Sequence, residues 1–229
     1  MMKKLLAMVG LGGGAGGAAS ATKFYTPYAE SHVNTLYNLL FCDDIALFCT
    51  DGSARAIGPW PTLFAEKLDA TALSSLAADE RAESRIRALA YNRLRAAGHT
   101  VPARKLLGVI VEVPLDGGRD VLAAYADGRV RYLNQSGKVA IFETGNDGAV
   151  DALAKELVSL AQPLVEQIGP WDKNRLPPPR ATNVRLTFLV SDGLYFGEGS
   201  FEAMSKDPMG GPVLAKATQL LQLVVKTAE

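Results

Sequence analysis

Apolar and polar residues recur in this chain with two rhythms, one of period two and one near 3.6, and the two occupy separate stretches. Leu106-Leu107-Gly108-Val109-Ile110-Val111-Glu112-Val113 is apolar on both faces, the pattern of a strand in the middle of a sheet. Turn signals follow at Asp116 to Arg119, Asp127-Gly128 and Ser136-Gly137, so residues 105–143 are predicted to form a four-strand meander. Asp-Gly also occurs at Asp51-Gly52 and Asp192-Gly193. Between apolar runs this dipeptide is a strong hairpin signal. It predicts one hairpin from residues 45–49 and 54–57, and another from 184–190 and 194–198.

The helical rhythm fills the intervals. Val33, Leu36, Tyr37, Leu40 and Phe41 predict a short helix over 30–42, ended by Asp43-Asp44. A helical stretch over 62–97 is expected to break near 69–71. Its second part carries Ala82, Ile86, Leu89, Ala90, Leu94 and Ala97, with Gly98 placed as a C-terminal cap. Asn146-Asp147-Gly148 opens a helix running to residue 168, which Pro163 should kink or break. A last helix is predicted over 213–226. The fold class is therefore α+β: an antiparallel sheet built from hairpins and a four-strand meander, with helices packed on it.

Composition narrows the class without naming a chemistry. The 229 residues are 48% hydrophobic and 21% charged, with a formal net charge of zero. A balanced charge gives no general reason to expect nucleic acid as a partner. No run of eighteen apolar residues exists, so no membrane span is expected. Residues 1–28 read as a Gly/Ala-rich leader and 29–229 as a single α+β domain. Met1-Met2-Lys3-Lys4 and Ala19-Ser20-Ala21 have features of a cleavable signal, but Gly12-Gly13-Gly14-Ala15-Gly16-Gly17 dissolves its apolar centre. The expectation is a cytoplasmic protein, with export through an atypical signal as the alternative. Cys42 and Cys49 are too few for a disulfide framework and read as two buried thiols, a single disulfide or redox pair being the other reading.

Motifs for catalysis are missing or incomplete. Gly10-Leu11-Gly12-Gly13-Gly14-Ala15 resembles a dinucleotide loop, yet no helix follows to hold a pyrophosphate, so no cofactor is expected. His32 and His99 fall in no grouping with zinc spacing, so no metal is expected. There is no Gly-x-Ser-x-Gly elbow, and no residue is nominated as catalytic. The basic cluster Arg81, Arg85, Arg87, Arg93, Arg95, Arg104 and Lys105 reads as a solvated helix face. Arg175-Leu176-Pro177-Pro178-Pro179-Arg180 reads as a stiff spacer.

One constellation follows from pairing the meander through its turns. With turns centred on Gly117-Gly118, Asp127-Gly128 and Ser136-Gly137, Glu112 lies opposite Ala123, then Tyr132, then Ile141. Tyr125 and Glu143 would share that face. Glu112, Tyr125, Tyr132 and Glu143 are therefore the candidate binding residues: two carboxylates and two phenols on an otherwise apolar face. The expected function is a non-catalytic protein-interaction or scaffolding module whose partner is another protein or a second copy. The alternative is a small hydrolase or ligand-binding enzyme using the Glu112/Glu143 sheet face.

Overall fold

Leu106–Leu115, the apolar run just described, forms the strand around which the molecule is built. In the computed structural model, which describes residues 24–48 and 56–228, this strand (β1) is buried on both faces from Leu106 to Glu112. It pairs antiparallel with β2 (Gly118–Tyr125) on one side and with β5 (Asn183–Val190) on the other. The meander continues through β3 (Val130–Leu133) and β4 (Val139–Phe142), and the last hairpin adds β6 (Gly193–Ser200). The result is one six-stranded sheet in the order β4-β3-β2-β1-β5-β6, with every neighbouring pair antiparallel.

Helices cover both faces, so the sheet separates two apolar layers. On one side α5 (Gly148–Gln167), α6 (Phe201–Lys206) and α7 (Gly210–Ala228) enclose Val109, Val111, Leu122, Ala124, Leu186 and Phe188. On the other, α1 (Ser31–Leu39), α2 (Trp60–Phe64), α3 (Ala70–Ala78) and α4 (Ser84–Ala96) enclose Leu107, Ile110, Val121, Ala123, Tyr125 and Leu189. Helix ends follow their sequence signals. Asp69 caps α3 by accepting from the Ala72 amide, and Asp147 caps α5 by accepting from Ala149 and Val150. Gly98 ends α4 at φ +79°, with the His99 amide donating to the Leu94 carbonyl.

Several expectations need correction. The strand predicted over 45–49 does not form in its described part: Ile45–Leu47 is a single 3-10 turn, whose N-terminal amide at Ala46 donates to the Asp44 side chain. Its apolar residues seat a corner of the helical layer instead, with the Phe48 ring 6.2 Å from that of Trp60. The turn proposed at Asp51-Gly52 and the residue Cys49 lie outside the described residues. The helical stretch after residue 60 breaks twice, at 65–69 and again at 79–83, where Asp79 turns the chain by accepting from the Arg81 amide. Pro163 sits inside α5 without ending it.

The basic cluster is also not simply a solvated face. Arg81 is exposed, but Arg87 is buried and donates to the Ala77 carbonyl at the end of α3. Arg93 reaches the carbonyls of Leu63 and Ala65, and Arg95 that of Ser191. These side chains satisfy the orphan carbonyls that helix ends and turns leave behind.

Gly108 sits where β1 passes the Tyr125 ring. A Cβ there would lie 2.9 Å from Tyr125 Cδ1 and 3.1 Å from the Ala124 carbonyl oxygen. Because Tyr125 is fully buried and held by its hydroxyl on the Leu40 carbonyl, the ring has little freedom to retreat. Gly108→Ala is expected to lower the unfolding free energy by about 1–3 kcal/mol through overpacking. Urea denaturation reads this directly, and an unchanged midpoint would show that the Tyr125 side of the core can yield.

Candidate functional site

The turn chemistry decides which candidate residues meet. The first turn closes one residue earlier than assumed, on Asp116-Gly117, so Glu112 pairs with Val121 rather than Ala123. That shift of two positions keeps every side chain on its expected face. The next two loops have three residues each. Tyr125 and Arg129 close the first, with Gly128 at φ +96°, and Asn134 and Lys138 close the second, with Gly137 at φ +83°. A three-residue loop ending in a left-handed glycine replaces the expected two-residue turn. Each therefore slips the register by one.

A one-residue slip turns a whole strand over. Tyr132 thus points to the α5/α7 side, where its hydroxyl donates to Asp120 at 2.9 Å, and does not join Glu112. The second slip cancels the first: Ile141 returns to the row of Arg131, Ala123 and Ile110. Glu112 and Tyr125 do share the α1–α4 side. Glu143 lies just past β4 and is far from Glu112. It is displaced by three strands, about 14 Å, and four residues, a further ~13 Å along the strand.

Glu143 belongs to a partly buried rim of charge. It accepts from Arg129 and Arg131, and Arg129 also pairs with Asp127 at 2.7 Å. Asp127 in turn accepts from the Ser84 amide at the start of α4, while its own amide donates to Ser84 Oγ. Partial burial pushes the Glu143 carboxyl upward, but the arginine hydrogen bonds and charges outweigh it and hold it below the usual range. Tyr125 has its hydroxyl on the Leu40 carbonyl and the Arg85 guanidinium 5.8 Å from its ring centre, and burial raises its pKa. Cys42 lies against the same cluster, fully buried with its thiol pushed well up, which makes it a poor nucleophile.

Glu112 is a different case. It has no exposure to solvent and sits at the middle of a cross-strand row in which Glu112 faces Arg185 on β5, and Arg185 faces Glu198 on β6. The Tyr37 hydroxyl on α1 donates to Glu112 Oε1 at 2.7 Å. Arg185 Nη1 stands 3.7 Å from Oε2, an ionic contact that is too long for a hydrogen bond. Arg185 spends its own donors on Glu198, through Nε and Nη2, and on the Pro177 carbonyl, through Nη1.

Two further arginines close the centre, and sequence periodicity gave no sign of either. Arg119, two positions from Val121 on β2, falls on the Glu112 side. Arg175 comes from the connector before β5. Its Nε donates to Asp43 at 2.7 Å and its Nη2 to Asn38 at 2.8 Å, while its guanidinium lies 4.0 Å from the Phe41 ring centre and 5.0 Å from that of Tyr25. The stretch read as a spacer is therefore a clamp whose basic residue is buried. Its one available signal was an arginine beside prolines that hold the backbone in place.

Above this centre lies an extended strap, residues 24–30, docked by two asparagines one helical turn apart. The Asn34 side chain accepts from the Tyr28 amide and donates to the Tyr28 carbonyl; Asn38 does the same for Tyr25. The strap is fixed at its far side too: Tyr25 donates to the Arg175 carbonyl and Tyr28 to the Arg119 carbonyl.

Within this frame four buried atoms have no hydrogen-bond partner: Glu112 Oε2, Arg119 Nε, Arg119 Nη1 and Arg175 Nη1. Burial raises the Glu112 pKa above its usual 4.5, although Arg185, the Tyr37 hydroxyl, Arg119 and Arg175 all act to lower it. Tyr37 is raised as well, by burial and then by the adjacent carboxylate. No protein-family model matches the chain, and a search of curated proteins finds no match.

Two expected outcomes follow from this geometry. A carboxyl that ionises less readily folded than unfolded adds stability that is present in full below the unfolded value, near 4.5, and is lost as pH rises through the native value. Relative to the native protein, Glu112→Gln should therefore gain stability as pH rises from about 4.5 through the native value, and the gap should close below about 4.5. Urea titrations across that range test this, and a gap independent of pH would reject it. Arg175→Ala should cost about 3–5 kcal/mol by breaking a buried ion pair together with the Asn38 bond and the ring contacts, and Arg175→Lys should not restore the loss, because one ammonium cannot serve both acceptors and the rings.

Proposed function

We propose that this chain is a non-catalytic protein-interaction module that binds by adding a strand to the free edge of β6. Both sheet faces are covered by helices, which leaves the edges as the exposed part of the sheet. β4 is four residues long, whereas β6 runs for eight and contains neither proline nor lysine, the residues that commonly block such an edge.

The observation that carries the reading is the state of the outer groups of β6. In an antiparallel ladder alternate residues direct their N–H and C=O away from the neighbouring strand. The Leu194 carbonyl points outward and accepts from the Trp171 amide at 2.7 Å, so the chain itself already places one antiparallel residue on this edge. By the same alternation Phe196 and Glu198 point outward, and their backbone groups take no partner among the described residues. Apolar side chains flank the opening: Phe196 meets the Trp171 ring edge-on at 5.1 Å, and Phe201 beyond the strand is half exposed. Main-chain pairing with such flanking contacts is the usual basis of strand addition.

The partner in this reading is an extended segment of another protein or the same edge of a second copy. The action belongs in the cytoplasm, with export as the alternative. No helix among the described residues is long and apolar enough to cross a membrane. The competing hydrolase reading requires one pocket holding Glu112 and Glu143, and the separation of these two residues gives it no support.

Phe196→Pro removes an outward N–H without touching the β5 ladder, whereas Phe196→Ala keeps that donor. Association, measured by sedimentation for self-pairing and by affinity capture for a second protein, should be lost in the proline variant and largely kept in the alanine variant. A native chain that stays monomeric and captures nothing while the purified protein turns over a substrate would overturn the proposal.

A further inference from the structure

The orphan atoms around Glu112 form a complementary set, three donors and one acceptor. Each is buried, and the groups that carry them are charged. An unpaired buried polar atom costs about 1–3 kcal/mol, and more when charged, so four in one neighbourhood call for an occupant. Arg185 does not fill the role, because its hydrogen-bond donors go to Glu198 and the carbonyls of Leu176 and Pro177. Nor does Tyr37, whose hydroxyl is already committed to Oε1.

Water is a poor match in number. Each water that accepts from an arginine brings two hydrogens of its own, and Glu112 Oε2 is the one side-chain acceptor of this set left to take them. A bare oxyanion such as sulfate satisfies the three guanidinium donors but offers nothing to the carboxylate oxygen and repels it. A tetrahedral oxyanion that keeps one proton satisfies all four. Its unprotonated oxygens accept from Arg119 and Arg175, and its remaining O–H donates to Glu112 Oε2. Arginine forks suit such oxygens in geometry as well as in charge.

We propose that Glu112, Arg119 and Arg175 form a binding site for free hydrogen phosphate. Arg119 and Arg175 hold its oxygens, and Glu112 selects for the protonated ion by accepting its O–H. Arg119 is only partly buried beside the turn of the β1–β2 hairpin and provides the approach from solvent. The strap and α1 cover the centre, with Tyr28 donating to the Arg119 carbonyl, Tyr25 to the Arg175 carbonyl and Tyr37 to Glu112. The site is separate from the β6 edge and does not depend on it.

Isothermal titration of the full chain at about pH 7.5 with inorganic phosphate, sulfate and methyl phosphate tests the assignment. At that pH inorganic phosphate carries a P–OH, while sulfate and the methyl phosphate dianion do not. Saturable phosphate binding is expected, with both other anions weaker by about tenfold or more. Arg119→Gln should weaken phosphate by a similar factor. Glu112→Gln, which supplies an N–H where the carboxylate oxygen stood, should erase the preference by letting sulfate bind. Equal binding of sulfate and phosphate by the native chain would overturn the role of Glu112. No saturable phosphate binding, or phosphate binding undiminished in a folded Arg119→Gln, would overturn the site. If that variant fails to fold, the anion preference of the native chain decides alone.

Discussion

The ion-pair frame around Glu112 is the constraint from which much of this structure follows. A carboxylate without solvent contact at the centre of a sheet must be matched or neutralised. Here the matching groups come from four places in the chain: Tyr37 on α1, Arg119 on β2, Arg175 on the connector and Arg185 on β5. None is near Glu112 in sequence except Arg119. Balancing the charge of one acid therefore ties together the first helix, the meander, the crossover and the last hairpin. The apolar layers supply most of the burial, but hydrophobic contact is not directional. The charges decide how the α1 layer sits on the sheet.

Arg175 shows how one residue can serve several elements. Its guanidinium pairs with Asp43 just beyond α1, bonds Asn38 within it, and lies among Phe41, Tyr37 and Tyr25. Asn38 in turn holds the strap, so the network runs from the crossover through α1 to the beginning of the described chain. The aromatic rings supply apolar contact for the arginine stem and favourable faces for its charge. Such a junction accounts for a connector rich in proline beside a buried cation: the backbone is stiff where the side chain must be aimed.

How much of this was legible in the sequence depends on the range of the interaction. The continuous apolar run at β1 and the helical stripes of α5 and α7 are local patterns, and they identified the elements and the α+β class. Cross-strand register was legible only as far as loop length could be inferred. A glycine after an aspartate announces a turn, but it does not say whether two or three residues make it. Gly128 and Gly137 close three-residue loops, and that single difference moved Tyr132 across the sheet. The apolar run that begins at Ile45 has the pattern of a strand, yet residues 45–48 form a packed corner, because a short apolar run fits either. The charged centre was half legible: Glu112 was conspicuous in an apolar strand, whereas Arg175 and Arg185 reach it only through long-range contacts that periodicity cannot encode.

The place of β5 beside β1 has a consequence for how the chain is made. Residues 106–112 must wait for residues 185–190 before the central strand gains its second neighbour. Contacts so distant in sequence form late, since closing a long loop costs chain entropy before any contact repays it. As the chain emerges from the ribosome, the meander and α5 are complete first. During that interval one side of the most apolar strand lies unpaired, and Glu112 lacks two of its three arginines. The nascent protein therefore passes through a stage with an open, sticky edge and an unmatched acid, which makes the arrival of the final hairpin the step most exposed to aggregation.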